Sequence, residues 1–189
     1  MVHVRIIAGR YKGRRLKAPT WDGLRPTSDK LRETLFNVLA PRIPGARVLD
    51  VFAGTGAIGL EALSRGAARV VFVESDRRAV ALIHENVALC GVSERCAIIR
   101  GAAEHVLLNA FDGNPFDVVV LDPPYAHEPL LPAIDAAARH LAPDGLLVLE
   151  HAARRPLPAV TSARPVRSLR SGDSALTMFE RHTITEKGC

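Results

Sequence analysis

The chain has 189 residues, of which 48% are hydrophobic, and its formal net charge is +5. This length and apolar content predict one packed globular core and exclude a globally disordered chain. The amino-terminal stretch has no apolar run of signal-peptide length, and no segment approaches the roughly 20 apolar residues that would span a bilayer. Cys90, Cys96 and Cys189 form no CxxC pair. We therefore expect neither a disulfide framework nor a zinc site, and a reducing cytoplasm is the expected compartment.

Positive charge is concentrated at the amino terminus. Residues 1–47 carry eleven Lys/Arg and three Asp/Glu, a net of +8, whereas the other 142 residues carry fourteen and seventeen, a net of −3. A basic segment on a neutral-to-acidic body indicates contact with a polyanion, although charge alone leaves a merely solvated basic surface open. The candidate contacts with nucleic acid are Arg10, Lys12, Arg14, Arg15, Lys17, Arg25 and Arg32.

The first elements are a hairpin and a helix. Val4–Ala8 and Arg14–Lys17 flank a Gly/Lys turn and predict a short basic hairpin. A helix is expected after an N-cap at Thr27 or Ser28 and through Leu39, because leucines recur on one of its faces and prolines follow it.

From Arg47 onward, short β-branched runs alternate with helical stretches. Strands are expected at Arg47–Phe52, Arg69–Glu74, Ala97–Arg100, Phe116–Leu121 and Gly145–Glu150. Helices are expected at Ala57–Ser64, Arg77–Cys90, Ala103–Asn109 and Leu130–His140. The alternation predicts an α/β fold with a mostly parallel sheet and helices on both faces. A closing antiparallel hairpin is expected from Val166–Arg170 and Ala175–Arg181, joined by a Gly172-Asp173 turn.

A glycine loop follows the first of these strands. Gly54, Gly56 and Gly59 formally match the dinucleotide fingerprint GxGxxG, in which glycines let the backbone turn sharply beside a ligand. Glu74 ends the second strand, at the position where a carboxylate binds a ribose diol. This pattern suits NAD and S-adenosylmethionine about equally, and a purely structural glycine turn stays open.

Asp50 favours S-adenosylmethionine over NAD. An acidic side chain just before the loop would repel a pyrophosphate, but it suits the positively charged amino-acid end of S-adenosylmethionine. Asp76 is expected to cap the next helix rather than to bind a ligand.

The sequence Asp122-Pro123-Pro124-Tyr125 follows the fourth strand, at the sheet edge where ligands bind in doubly wound folds. An amine on an aromatic base is a poor nucleophile because its lone pair is delocalised into the ring. Asp122 would accept a hydrogen bond from such an NH₂ group and take up its proton, while the carbonyl of Pro123 would accept the second N–H. Tyr125 offers a ring for base stacking. The motif predicts methyl transfer to an exocyclic amine of a base; a rigid turn with a capping Asp is the structural alternative.

With these motifs the chain resembles the bacterial 16S ribosomal RNA guanine-N2 methyltransferases of the RsmD type. The resemblance covers nearly the whole chain, and its specific part is RPTSD at residues 25–29 followed by RETLFN at 32–37. It implies a Rossmann-like methyltransferase fold with a mostly parallel seven-stranded sheet, and methyl transfer from S-adenosylmethionine to N2 of one guanine in 16S RNA. It also implies that the RNA is already bound by ribosomal proteins in a 30S assembly particle. A monomer is favoured.

The resemblance divides the chain into a basic, RNA-binding extension, residues 1–45, and a methyltransferase domain, residues 46–189. Members of the family commonly carry an acidic residue after the third strand, where adenine is held, but this chain has Ala102 and Ala103 there. The backbone N–H of Ala103 is therefore the expected adenine contact. The full set of expected cofactor-binding residues is Asp50, Phe52, Ala53, Gly54, Thr55, Gly56, Glu74, Ser75, Ala102, Ala103 and Asp122.

Two other functions stay open at this point. A DNA or protein amino-methyltransferase could use the same DPPY chemistry, although a DNA enzyme would be expected to carry a separate base-reading domain. Protein-glutamine methyltransferases typically carry Asn at the position of Asp122. A binding protein that keeps the cofactor pocket without catalysis is the third hypothesis, and the intact Asp122 and Tyr125 argue against it.

Overall fold

A computed structural model describes residues 4–21, 27–111, 113–124 and 130–182. The chain begins with two antiparallel strands, β1 (Val4–Arg5) and β2 (Arg15–Leu16). The Ile6 N–H donates to the Arg14 carbonyl at 2.9 Å and extends the pairing towards the turn. The predicted basic hairpin is therefore confirmed.

Helix α1 (Asp29–Leu39) begins as the sequence indicates. The Ser28 side chain accepts a hydrogen bond from the Leu31 N–H at 3.2 Å, which satisfies one of the free amides of the first turn. The leucines of its apolar face are buried. A single 3-10 turn, Ala40–Arg42, with a proline in its first positions, ends the helix.

The main sheet has seven strands in the order β5-β4-β3-β6-β7-β9-β8. Its strands are β3 (Arg47–Val51), β4 (Arg69–Glu74), β5 (Cys96–Arg100), β6 (Phe116–Leu121), β7 (Leu141–Ala152), β8 (Ala163–Ser171) and β9 (Ser174–Arg181). The first five strands of the order are parallel to one another, and β9 pairs antiparallel with both β7 and β8. The Rossmann-like fold and its antiparallel carboxyl-terminal hairpin are confirmed.

The remaining helices are α2 (Ala57–Ser64), α3 (Arg77–Cys90), α4 (Ala103–Asn109) and α5 (Leu130–Ala138). Several bounds differ from the sequence-based expectation, among them those of β7 and α5. Strand β7 begins at Leu141 rather than Gly145, because Leu141 pairs with Phe116 before a register shift in β6. Helix α5 ends before His140, whose ring instead contacts Phe111 at a centroid distance of 4.9 Å. Within the described residues, no helix has the length and apolar character needed to cross a membrane.

Each face of the sheet has its own apolar cluster. Val48 and Val118 belong to the cluster under α1, α2 and α3, whereas Leu49 and Val119 belong to the cluster under α4 and α5. This split follows from the alternation of side chains along a strand. The hairpin contributes Val4, Ile6 and Leu16 to the first cluster, so it packs directly on the sheet's helical layer.

Candidate active site

A cavity of about 750 Å³ lies at the carboxyl ends of the central parallel strands. This edge is the ligand-binding edge of doubly wound sheets. The lining residues come from the segment before α1, the glycine loop, the first turns of α1, α2 and α3, the carboxyl ends of the strands β4, β6 and β7, and the turn between β8 and β9. They are Trp21, Thr27, Ser28, Leu31, Phe52, Ala53, Gly54, Thr55, Ala57, Ile58, Glu74, Ser75, Asp76, Arg78, Asp122, Pro123, Pro124, Glu150, Ser171, Asp173 and Ser174.

The glycine loop joins β3 to α2 through residues in the left-handed region. Gly54 has a φ of 55°, Gly56 has a φ of 75°, and Phe52 adopts a φ of 63° without being glycine. Gly59 serves a different purpose, because a Cβ there would lie 2.3 Å from Cε1 of Phe72. The first two glycines thus shape the turn, and the third permits close packing of α2 on the sheet.

Glu74 ties the loop to the end of β4. Its Oε2 accepts the Gly54 N–H at 2.9 Å, and its Oε1 accepts the N–H groups of Ser75 at 2.7 Å and Asp76 at 2.9 Å. These bonds hold one carboxylate at the cavity wall in a fixed orientation. Asp76 caps α3 as expected, since its side chain accepts the Arg78 N–H at 2.8 Å.

Asp50 lies beneath the loop instead of lining the cavity. Its side chain is 1% exposed, and its Oδ2 accepts the Gly59 N–H at 2.9 Å. Among the described residues, its Oδ1 has no hydrogen-bond partner. Burial raises the pKa of Asp50 to about 8, and repulsion from Glu74 adds to the rise. The expected contact between Asp50 and a cationic ligand group is therefore corrected: in this geometry Asp50 anchors the start of α2.

Asp122 lines the cavity directly after the end of β6. The Thr27 hydroxyl donates a hydrogen bond to its Oδ2, so the segment before α1 reaches the end of the sheet. Burial raises the pKa of Asp122 well above its usual range, and a hydrogen bond and charge repulsion from Glu150 add to the rise. The bond from Thr27 acts in the opposite direction.

Sequence reasoning missed Glu150 and Thr27. Leu121 pairs with Leu149 across the parallel strands β6 and β7, so the next residues along, Asp122 and Glu150, adjoin at the same edge. Glu150 is only 7% exposed. The strand-end argument that selected Asp122 applies equally to the residue that ends the predicted fifth strand, and it would have identified Glu150.

Trp21 and Arg78 form a further wall that the sequence did not indicate. The Arg78 guanidinium lies over the Trp21 ring at 4.9 Å from its centroid, and it also pairs with the Asp76 carboxylate at 2.7 Å. Trp21 and Arg78 line the same cavity as Glu74 and Ser75.

Most, but not all, of the predicted cofactor residues meet in this cavity. Phe52, Ala53, Gly54, Thr55, Glu74, Ser75 and Asp122 line it, together with Pro123. Gly56 faces Phe72 and Ile83. Ala102 and Ala103 begin α4 and are not among the lining residues. Tyr125 and Arg25 lie outside the described residues.

Arg32 is corrected as a nucleic-acid contact. Its side chain is 0% exposed and donates to the Arg5 carbonyl at 2.9 Å and to Asp29 Oδ1 at 2.6 Å. Its Nη1 lies 3.9 Å from the buried carboxylate of Glu61. Because Arg32 lies on the buried face of α1, it neutralises a core carboxylate and is closed to RNA. The other described candidate contacts are exposed: Arg10, Lys12, Arg14, Arg15 and Lys17.

Within the described part of the chain, no group of three or more His, Cys, Asp or Glu side chains is placed to hold a metal ion. Arg78 is the one arginine among the described lining residues. Five of the lining residues carry a carboxyl group: Glu74, Asp76, Asp122, Glu150 and Asp173. Their charge makes the cavity a better site for a cationic ligand than for a pyrophosphate.

The chain is similar to known proteins over nearly its whole length. Residues 4–180 match the family model described as conserved hypothetical protein 95. The chain is 37% identical over 186 residues to the ribosomal RNA small subunit methyltransferase D of Escherichia coli, an alignment covering 97% of this chain and 92% of that protein. The enzyme of the same name from Haemophilus influenzae is 40% identical over 157 residues, with 82% and 81% covered.

Solved structures give the same result. The yhhF protein of Escherichia coli superposes with a TM-score of 0.83 at 38% identity, and the superposition covers 95% of this chain and 98% of that one. Because the family model spans residues 4–180 and the relatives align over most of the chain, the chain belongs to the conserved hypothetical protein 95 family, the family of ribosomal RNA small subunit methyltransferase D.

Proposed function

We propose that the protein transfers a methyl group from S-adenosylmethionine to the exocyclic N2 of a guanine in 16S ribosomal RNA. The observation that carries this proposal is the shared cavity, because Asp122 and Pro123 face the same space as Glu74 and the glycine loop. A methyl donor and an amine acceptor must adjoin for direct transfer. The names of the two relatives from Escherichia coli and Haemophilus influenzae support RNA of the small ribosomal subunit as the substrate class.

The donor set fits S-adenosylmethionine. Each carboxylate oxygen has two lone pairs, and Glu74 Oε2 accepts one backbone bond, from Gly54, which leaves it able to accept a ribose hydroxyl as well. Phe52, Ala53 and Thr55 shape the space beside the loop for the methionine part. When bound, S-adenosylmethionine supplies an electrophilic methyl group on a sulfonium. The carboxyl-rich wall favours its positive charges and disfavours the pyrophosphate of a dinucleotide.

Asp122 positions the amine and takes up its proton. Its carboxylate accepts a hydrogen bond from one N–H of the guanine amine, and the Pro123 carbonyl accepts the other, so the nitrogen lone pair points at the methyl group. As the N2–carbon bond forms, the sulfur–carbon bond would break with S-adenosylhomocysteine as the leaving group, and N2 would release its proton to Asp122. The raised pKa of Asp122 makes it a stronger base than an ordinary aspartate, which aids this transfer.

Glu150 and Thr27 set the properties of that base. Glu150 raises the pKa of Asp122 by its charge and its hydrogen bond, and Thr27 holds the carboxylate through Oδ2. Because Thr27 belongs to the segment before α1, the amino-terminal part of the chain completes the catalytic end of the cavity. Tyr125, outside the described residues, remains our proposed stacking ring for the target base.

RNA binding is assigned to the exposed cations of the amino-terminal segment. Arg10, Lys12, Arg14 and Arg15 are exposed, and Lys17 is exposed but pairs with Glu85 at 2.8 Å. Cations of this kind neutralise phosphates and give affinity that falls with salt. Arg25, outside the described residues, belongs to the same proposal.

The decisive experiment is transfer of a tritiated methyl group to 16S RNA, free and within 30S particles, followed by nucleoside analysis of the product. We expect label in N2-methylguanosine and little label after Asp122→Asn. Label in methyladenosine or methylcytidine would contradict the guanine assignment, and label in ribosomal proteins would favour a protein methyltransferase.

A separate measurement tests the cofactor. Calorimetry is expected to show saturable binding of S-adenosylhomocysteine and none of NAD, and Glu74→Gln is expected to weaken the former. Micromolar NAD binding without a response to S-adenosylhomocysteine would overturn the assignment of the cavity.

A further inference from the structure

The turn of the amino-terminal hairpin lies far from the mouth of the cavity. The Arg10 N–H donates to the Ser64 carbonyl at 2.8 Å, and the Tyr11 N–H donates to Ser64 Oγ at 2.9 Å. Ser64 is the last residue of α2, whereas Ala57 and Ile58 at the start of that helix line the cavity. The hairpin turn is therefore attached at the opposite end of α2.

Contacts along helix α3 also show that the hairpin turn and the cavity are far apart. The Arg14 Nη1 donates to the Leu89 carbonyl at 2.7 Å, in the last turn of α3, and Arg78 in its first turn lines the cavity. The eleven positions between Arg78 and Leu89 correspond to about 16 Å along a helix axis. The basic turn and the cavity thus lie at opposite ends of the helical layer.

Tyr11 organises three guanidinium groups at that distant end. The guanidinium carbons of Arg10 and Arg14 lie 5.8 and 5.4 Å from the centroid of its ring. Arg95, in a short 3-10 helix before β5, donates from Nη2 to the Tyr11 hydroxyl at 3.1 Å. We call Arg10, Tyr11, Lys12, Arg14 and Arg95 the Tyr11 patch.

The patch has the chemistry of a phosphate-binding surface. Arg10, Lys12 and Arg14 are exposed, and the aromatic ring limits the freedom of the two arginines before any ligand binds. Guanidinium groups bind phosphate through paired N–H donors. Glu94, next to Arg95 in the chain, is exposed, and the patch itself comprises four cations and no acid. Charge complementarity therefore favours a polyanion over an acidic side chain or a neutral partner.

We propose that the Tyr11 patch binds the phosphate backbone of the substrate RNA at a point several nucleotides away from the guanine held in the cavity. This inference rests on the proposed function and adds a second contact site to it. The RNA then runs along the exposed side of α3, and Arg95, which lies outside the basic amino-terminal segment, takes part in binding it. An RNA too short to reach from the cavity to the patch loses this contribution.

Charge removal tests the patch. We expect Arg10→Gln with Arg14→Gln to raise the dissociation constant for 16S RNA by on the order of tenfold or more, since hydrogen bonds to charged groups are lost. The slope of log K against log salt is expected to become shallower by about two, one for each phosphate contact removed. The matched control is Arg139→Gln with Arg167→Gln, which removes the same charge from exposed positions elsewhere. Equal slopes and affinities in the two double variants would overturn the proposal.

Tyr11→Leu tests whether the position of the arginines around the Tyr11 ring, and not only their charge, contributes to RNA binding. It keeps every cation but removes the ring and the hydroxyl, so RNA affinity is expected to fall while S-adenosylhomocysteine affinity stays at the wild-type value. Affinity for RNA equal to wild type would show that Tyr11 is only a packing residue.

Cross-linking tests whether the Tyr11 patch binds RNA at a distance from the methylated guanine. A photoreactive residue at position 12 is expected to label nucleotides remote from the methylated guanine, whereas one at exposed, cavity-lining position 173 is expected to label nucleotides at or beside it. Labelling of the methylated guanine from position 12, or no RNA label from there while position 173 reacts, would overturn the proposal. If the wild-type protein methylates no 16S RNA, the proposed function itself is wrong. That outcome is distinct from one in which methylation occurs but the Tyr11 patch does not contact the RNA.

Discussion

The chemistry of the cavity depends on a few acidic residues. Asp122 and Glu150 adjoin on the neighbouring strands β6 and β7, whereas Glu74 ends β4 on the other side of β3. Backbone amides stabilise Glu74, whereas Asp122 has an acidic neighbour and a hydroxyl. The two carboxyl groups thus have different surroundings, in line with our proposal that Glu74 orients the cofactor and Asp122 accepts the proton.

Replacement of Asp122 by Asn removes the proton acceptor and keeps its size. Loss of a positioned acid–base group typically lowers a rate by ~10²–10⁴, and we expect that loss in single-turnover methylation by Asp122→Asn. Affinity for S-adenosylhomocysteine should change little, because Glu74 and the loop stay in place. The control is Asp144→Asn, an exposed aspartate at the other edge of the sheet. If Asp122→Asn keeps a rate within about threefold of wild type, the loss is much smaller than expected for an acid–base group. That result would show that Asp122 serves only to shape the turn.

The pH dependence of methylation tests the neighbours of Asp122. The rate should rise with pH as Asp122 ionises, since only its carboxylate accepts the proton. Glu150→Gln removes interactions that raise the pKa of Asp122, so the rising limb of the pH–rate profile should move to lower pH. Thr27→Val removes a hydrogen bond that lowers this pKa, so the limb should move to higher pH. Shifts of the same sign in both variants would contradict this arrangement.

Among the elements, helix α2 attaches the hairpin to the sheet. Glu61 Oε2 and Oε1 accept the N–H groups of Ile7 at 2.7 Å and Ala8 at 2.9 Å, and Arg65 pairs with the same carboxylate at 2.8 Å. The buried Glu61 is therefore paired and hydrogen-bonded, which offsets the cost of removing its charge from water. The hairpin packs as a fixed part of the helical layer.

Two glycines of the hairpin turn allow a matched test of this attachment. Gly9 and Gly13 both have a φ of +80°, but a Cβ at Gly9 would lie 2.0 Å from the Ser64 carbonyl oxygen, while one at Gly13 would meet nothing within 4 Å. Gly13→Ala should lower the free energy of unfolding by about 1–2 kcal/mol, from backbone strain alone. Gly9→Ala should lower the free energy of unfolding by about 1–3 kcal/mol more than Gly13→Ala does, because the hairpin must also move away from α2. Equal losses in denaturant unfolding would mean that the hairpin is not held at this point.

At the scale of the whole molecule, buried acids link stability to pH. Asp50 has an ordinary pKa of 3.8 and a pKa of about 8 in the folded protein. The folded state therefore keeps a proton that the unfolded chain loses. A group whose folded pKa is raised in this way lowers the free energy of unfolding progressively as pH rises from about 4 to about 8. Asp122 acts in the same direction.

Asp50→Asn should remove the contribution of Asp50. Relative to wild type, the variant should gain stability as pH rises between the two pKa values, by up to about 1.4 kcal/mol per pH unit. We expect the other titrating groups to contribute almost equally to both proteins, so their effects largely cancel in the difference between the two free energies of unfolding. This difference is measured by denaturant unfolding of both proteins across the pH range. A difference that stays constant with pH would contradict the buried, protonated state of Asp50.

Much of this architecture was predictable from sequence because its signals are local. Helices α2, α3 and α4 and strands β4 and β6 have the predicted bounds, since hydrophobic periodicity, caps and turn residues act over a few positions. The ends of parallel strands share one edge, so the glycine loop, Glu74 and Asp122 were predicted to meet, and the cavity contains all three.

Other features depended on packing between distant segments. As one more basic residue in a basic segment, Arg32 resembles the exposed cations, yet the docking of α1 on α2 buries it beside Glu61. Asp50 precedes a ligand loop, yet the sheet and α2 enclose it.

By itself, then, the sequence determined the order of elements, the class of the fold and the chemistry at the strand ends. Only the tertiary structure decided that Glu150 and Thr27 adjoin Asp122, that Arg32 is closed to RNA, and that the basic turn lies at the far end of the helices from the cavity. The physical reason is that burial and adjacency arise when segments remote in the chain pack together, and no local pattern encodes which side chains that packing covers.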